Sequence, residues 1–110
     1  MSFYTWTCKL QVSLSMTFPG GLIFAGYRNS HVIFDGLAEI DCYAAFFPIL
    51  GRSLQYGETG EAIVNLVGPD TGGPDPAQVI REGTRFVLLR PGAFFAEGSV
   101  VAVLESPESF

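Results

Sequence analysis

An all-β domain is predicted by two observations: strict alternation of apolar and polar residues from Thr5 to Met16, and a succession of short β-prone runs punctuated by glycine and proline. Many short strands at this spacing belong to a sandwich or a closed barrel. A composition 48% apolar and 14% aromatic, with only 15% charged residues, belongs to a folded globular protein. At 110 residues the chain reads as one domain, 1–110, long enough to bury a core and too short for a second unit.

In the first strand Trp6, Cys8, Leu10, Val12, Leu14 and Met16 point one way while Thr5, Thr7, Lys9, Gln11, Ser13 and Ser15 point the other. Phe18-Pro19-Gly20-Gly21 breaks it, since glycine admits positive φ and proline cannot donate to a ladder. Leu22 to Arg28 and His31 to Phe34 follow as a kinked strand or two short ones about Asn29-Ser30, whose side chains favour turns and bulges. Two periods compete between Leu37 and Phe47. Leu37, Ile40, Ala44 and Phe47 fall at helical spacing, whereas Ala38, Ile40 and Cys42 alternate against Glu39 and Asp41; the expectation is a strand from Gly36 to Tyr43.

Phe47 to Gly51 closes that region, and Tyr56 to Gly60 is a turn before a strand from Glu61 to Val67. Gly68 to Pro76 packs three prolines and three glycines into nine residues, which predicts an exposed, mobile loop without helix or ladder. The stretch from Val79 to Val101 reads as two strands around a turn. They run from Arg85 to Leu89 and from Gly98 to Leu104, with Pro91-Gly92 between them and Phe94-Phe95 continuing into the return.

The last of these stretches resembles the closing hairpin of the third, C-terminal domain of elongation factor Tu. The shared order is Glu82, Gly83, Arg85, Phe86, Val87 and Leu88, a turn holding Gly92, and then Gly98, Val100 and Val101. Gly26-Tyr27-Arg28 ahead of His31-Val32-Ile33-Phe34, and Gly57-Glu58 ahead of Ala62-Ile63-Val64, also resemble units of that domain, so the likeness covers roughly Thr5 to Leu104. The fold this implies is a small closed antiparallel barrel of about six strands. The function it implies is that of a stand-alone translation-factor domain with no chemistry of its own. Two departures stand out: the family's Gly-Gly-Arg-Thr turn is here Pro91-Gly92-Ala93-Phe94, and its proline after Gly-Tyr-Arg is here Asn29. The GTPase domain that precedes it in the intact factor carries a Gly-x4-Gly-Lys-Ser/Thr loop, and neither Gly20-Gly21 nor Gly72-Gly73 leads into such a lysine.

A formal charge of −5, from six basic and eleven acidic residues, disfavours nucleic acid as a partner. The opening Met1 to Trp6 has neither the basic region nor the apolar core of a secretory signal, and no apolar run reaches the ~18 residues of a membrane span, so a cytoplasmic location without a membrane partner is expected. Cys8 and Cys42 sit in strand-like segments away from any Cys-x-x-Cys pattern, which reads as two buried free thiols.

Nothing in the sequence points to catalysis, a metal or a cofactor, and the chain reads as a non-enzyme. His31 is the single histidine, and no Gly-x-Ser-x-Gly elbow surrounds Ser13, Ser30, Ser53 or Ser99. Glu39 and Asp41 read as outward charges on a strand, and Asp70 and Asp75 do not fit an EF-hand. Ten phenylalanines and four tyrosines are more than a small barrel interior hides, so one member each of Phe46-Phe47 and Phe94-Phe95 should face outward.

The leading expectation is therefore a protein-binding module. Its partner-binding residues are Tyr27, Arg28, Phe94 and Phe95, with the loop from Gly68 to Pro76 at their edge, because aromatic and arginine side chains anchor interfaces. Were the Phe95 region exposed, a two-fold homodimer would be the simplest way to cover it. The alternatives are an RNA-binding remnant needing Arg28, Arg52, Arg85 and Arg90 to cluster, a small-molecule site in the barrel mouth, and an immunity-like decoy of a translation factor.

Overall fold

The computed structural model describes residues 5–37, 42–69, 75–90 and 93–109. In chain order these form β1 (Trp6–Met16), β2 (Leu22–Ile23), β3 (Tyr27–Phe34), β4 (Cys42–Pro48), β5 (Leu54–Gln55), β6 (Thr59–Gly68), the one-turn helix α1 (Pro76–Val79), β7 (Arg85–Arg90) and β8 (Ala93–Ser109). Six strands close into an antiparallel barrel in the order β1-β6-β4-β3-β7-β8, with β8 returning to β1, and β2 pairs with β5 as a separate ribbon.

Alternation in β1 delivers the inward face that the sequence pattern requires, with Trp6, Cys8, Leu10, Val12, Leu14 and Met16 all buried. Opposite them stand Ala62, Val64 and Leu66 of β6, then Cys42, Ala44 and Phe46 of β4, Val32 and Phe34 of β3, and Phe86 and Leu88 of β7. These side chains form one continuous core. In β3 the pairing with β4 slips between Asn29 and Val32, so the expected kink is a bulge within one strand, whereas the run expected from Leu22 to Arg28 is broken at 24–26 into β2 and the start of β3.

Three expectations are corrected in detail. The strand expected from Gly36 to Tyr43 begins instead at Cys42 and runs on to Pro48. Gly36 stands in a turn at φ +91°, a conformation that ends the preceding strand, and Glu39 and Asp41 lie outside the described residues. The loop from Gly68 to Pro76 is shorter than expected at both ends. Gly68 closes β6 under the Trp6 ring, where an added Cβ would lie 1.9 Å from Trp6 Cζ2. Asp75 caps α1 by accepting from the Ala77 N–H at 3.0 Å, with Pro76 in the first turn, where its missing N–H is harmless. Residues 70–74, including Asp70, lie outside the described residues. Finally, β8 continues past Leu104 to Ser109, because three bulges let it follow β1 as far as Trp6.

Because neighbouring strands alternate in direction, one end of the barrel collects the end of β1 and the start of β6 (Ser15 opposite Thr59), and the end of β4 beside the start of β3 (Phe46 opposite Tyr27). The end of β7 and the start of β8 (Arg90 opposite Ala93) complete it. The β2–β5 ribbon crosses this end, which we call the flap end. At the other, the Trp6 end, α1 and the turn after it fill the gap beside β8, with Ile80 and Leu37 buried and Val79 packed against the core.

Candidate functional site

The flap is built by alternation over only two residue pairs. Leu22 faces Gln55 and Ile23 faces Leu54; the inner pair, Ile23 and Leu54, is buried and fills the barrel mouth, while Leu22 turns outward. Phe24 and Tyr56 extend the outer face from the ends of the ribbon, and Ile49 and Leu50 join it from the connection after β4. With Phe47 on β4 and Phe94 on β8, seven of the eight exposed large apolar side chains among the described residues belong to this end. The eighth, Leu104, is in the Trp6 half of β8.

Beneath the flap runs a ladder of rings. Tyr27 stacks on Phe95 at 5.3 Å between centroids and 22° between planes, takes the edge of Phe24 at 5.7 Å, and leans on Phe46 at 6.2 Å. Phe18 lies 6.2 Å from Phe95, and the Arg90 guanidinium covers both rings, 5.4 Å from Phe18 and 5.1 Å from Phe95. The Tyr27 hydroxyl accepts from Asn29 Nδ2 at 3.2 Å. Asn29, a buried polar residue at the β3 bulge, also donates to the Leu89 carbonyl at 3.2 Å and accepts from the His31 N–H at 2.7 Å. Asn29 thus ties the bulge to β7.

The four residues expected to bind a partner separate. Arg28 is exposed on β3 opposite Ala45, and Phe94 is 65% exposed opposite Leu89. Tyr27 is half-buried in the ladder. Phe95 is buried at 1% and leaves the surface set, because alternation turns one ring of the Phe94-Phe95 pair inward and Arg90 then covers it. A homodimer contact resting on an exposed Phe95 falls with it. Sequence reasoning missed Leu22, Phe24, Ile49, Leu50 and Tyr56. The available signal was adjacency: Leu22-Ile23-Phe24 and Ile49-Leu50 are unbroken apolar pairs and triplets, which an extended chain cannot bury completely.

The flap end balances its charge. Arg28, Arg52 and Arg90 stand against Glu58, Glu61 and Glu97 near the strand ends that meet there. Arg52 Nη1 pairs with Glu58 Oε2 at 2.7 Å, and Glu58 Oε1 accepts from the Gln55 N–H at 3.0 Å. The Arg52 hydrogen bond, then the Gln55 N–H, holds the Glu58 carboxyl below its usual range. Arg85 starts β7 and Arg90 ends it, so the four arginines of the RNA reading do not form one cluster.

Elsewhere, Ser13, Ser15, Arg85, Glu97 and Ser99 line a shallow polar groove across β1, β8 and β7 that contains no imidazole. Among the described residues no group of three His, Cys, Asp or Glu side chains could hold a metal ion, and no helix is long and apolar enough to cross a membrane. Cys8 and Cys42 are buried and form no disulfide. Burial, then the neighbouring Cys42, pushes the Cys8 thiol up to about 12. Cys8 and Ala44 both face Leu66, so β6 lies between the two cysteine-bearing strands, and a separation of two strand spacings, about 9.5 Å, exceeds the reach of a disulfide.

No known protein-family model matches this chain, and no curated protein matches its sequence.

Proposed function

We propose that this protein is a non-catalytic binding module that docks onto another protein through its flap end. The observation that carries this is the two-sided ribbon: Ile23 and Leu54 already seal the mouth, yet Leu22, Phe24 and Tyr56 are displayed on the opposite face. Apart from the edge contact of Phe24 on Tyr27, that face takes no part in the core. Apolar residues gathered on one exposed surface and rimmed by charges are what interfaces present before they are covered. The closed six-stranded barrel is also the fold implied by the resemblance to the third domain of elongation factor Tu, which supports reading the chain as a domain of that kind. Two buried cysteines outside any disulfide suit a reducing compartment and support a cytosolic location.

The other readings have less to stand on. A ligand in this mouth would have to displace Ile23 and Leu54, and an RNA strand would meet arginines already engaged, Arg52 by Glu58 and Arg90 by two rings. The test is a photo-crosslinking phenylalanine analogue placed at Tyr56 and, as a control, at Leu104, in the native cell. A discrete protein adduct at position 56 and none at position 104 is expected. Equal labelling from both positions, or none from either, removes the flap end as the interface.

A further inference from the structure

We infer that the partner seated on the flap end is a second copy of this chain, related to the first by a two-fold axis through the flap. The inference rests on the reading that this end binds protein, and two further observations select the occupant.

One is size. Leu22, Phe24, Ile49, Leu50 and Tyr56 together expose roughly 500 Å² of residue surface, taking about 200 Å² for a fully exposed large side chain. A patch of that size is at the upper end of what isolated monomers display. With its polar rim, Arg28, Arg52, Gln55 and Glu58, it approaches the roughly 800 Å² per partner of a standard stable interface.

The other is charge. The chain carries −5, and the three arginines and three glutamates of the flap end cancel, while among the other described residues Asp35, Asp75, Glu82, Glu105 and Glu108 outnumber Lys9, Arg81 and Arg85. Two such molecules repel in most approaches. Flap to flap, they bring together neutral faces and hold the acidic remainders as far apart as the barrel length allows. A partner selected for basic charge would instead be drawn to the acidic parts of the surface.

The decisive measurement is the mass of the purified chain in solution by sedimentation and light scattering, from micromolar to near-millimolar concentration. The expected result is a reversible shift from 11.9 kDa to twice that mass. Leu50→Asp combined with Tyr56→Asp should weaken it at least tenfold, and Leu104→Asp should leave it unchanged. All three proteins should melt at the same temperature when dilute. Added salt should tighten the dimer, because it screens repulsion between the acidic remainders. A monomer at every concentration overturns the inference, as does a dimer indifferent to the Leu50 and Tyr56 changes or one loosened by salt. A monomer whose position 56 still crosslinks to a different protein defeats the second-copy inference alone. A monomer that crosslinks to nothing defeats the binding reading as well.

Discussion

The two ends of this barrel are closed by opposite means. At the Trp6 end a single large ring lies across Gly68, its Nε1–H donates to the Pro69 carbonyl at 2.9 Å, and α1 brings Ile80 into the remaining gap. Among the described residues, the large apolar side chains that make that closure, Trp6, Leu37 and Ile80, are buried in it. At the flap end the closure is a ribbon two residue pairs long, with Ile23 and Leu54 buried on one face and Leu22 exposed on the other beside Phe24 and Tyr56. The first end is explained by folding alone. The second is not, and the charges differ as well: among the described residues the flap end carries Arg28, Arg52 and Arg90 against Glu58, Glu61 and Glu97, while acidic residues outnumber basic ones in the remainder.

The comparison breaks most visibly if the two plugs prove equivalent. Trp6→Ala removes a ring that packs on backbone and leaves a void no neighbour can fill, so it should cost about 3–5 kcal/mol in denaturant unfolding. Ile23→Ala should cost only about 2 kcal/mol, because a ribbon tied by two pairs can settle into the space it vacates. Equal losses would mean that the flap is as rigid a part of the core as Trp6.

The next effect is a pH dependence belonging to the Trp6 end alone. Cys8 is held neutral there, with its thiol raised from 9.0 to about 12. Below pH 9 the thiol is neutral in both folded and unfolded chains, and its burial is fully tolerated. Between pH 9 and about 12 only the unfolded chain releases the proton, so stability should fall by up to about 1.4 kcal/mol per pH unit. Cys8→Ala should remove that part of the slope, measured as the difference between variant and parent over this range. Parallel profiles would show that Cys8 is more accessible to water than its burial implies.

The smallest effect is the most telling for function. Leu50→Ser and Tyr56→Ser should change the stability of the dilute protein by less than about 0.5 kcal/mol, since neither side chain fills the core. A loss of 2 kcal/mol or more from either would make the outer face of the flap structural and erase the distinction between the ends.

How far the sequence predicted this molecule depends on the distance over which each feature is determined. The inward face of β1 was legible to the residue, because alternation is a local property and one face is buried throughout. The Phe46-Phe47 and Phe94-Phe95 pairs were legible as one in and one out, but not as which; the bulge between Leu88 and Leu89 and the cover of Arg90 determine the second pair, and both come from another strand. The flap was invisible, since its ladder joins Leu22 to Gln55 across the whole of β3 and β4. The start of β4 was misplaced because Leu37 to Phe47 satisfies two periods at once. The helical turn at Asp75-Pro76 was hidden by reading proline only as a breaker, when an aspartate before it is a helix start.

Trp6 is the chain's single tryptophan, and the eleven residues of β1 separate it from the end where Tyr27 and Tyr56 reside. Its emission is therefore an optical gauge of one half of the molecule. Melting the barrel will redshift it, while an event confined to the flap will pass without a signal. Tyrosine emission will register that event instead, over a background from the other tyrosines, Tyr43 at the start of β4 among them. A tryptophan response to anything docking on the flap would then mean that the contact had been felt through the full length of the core.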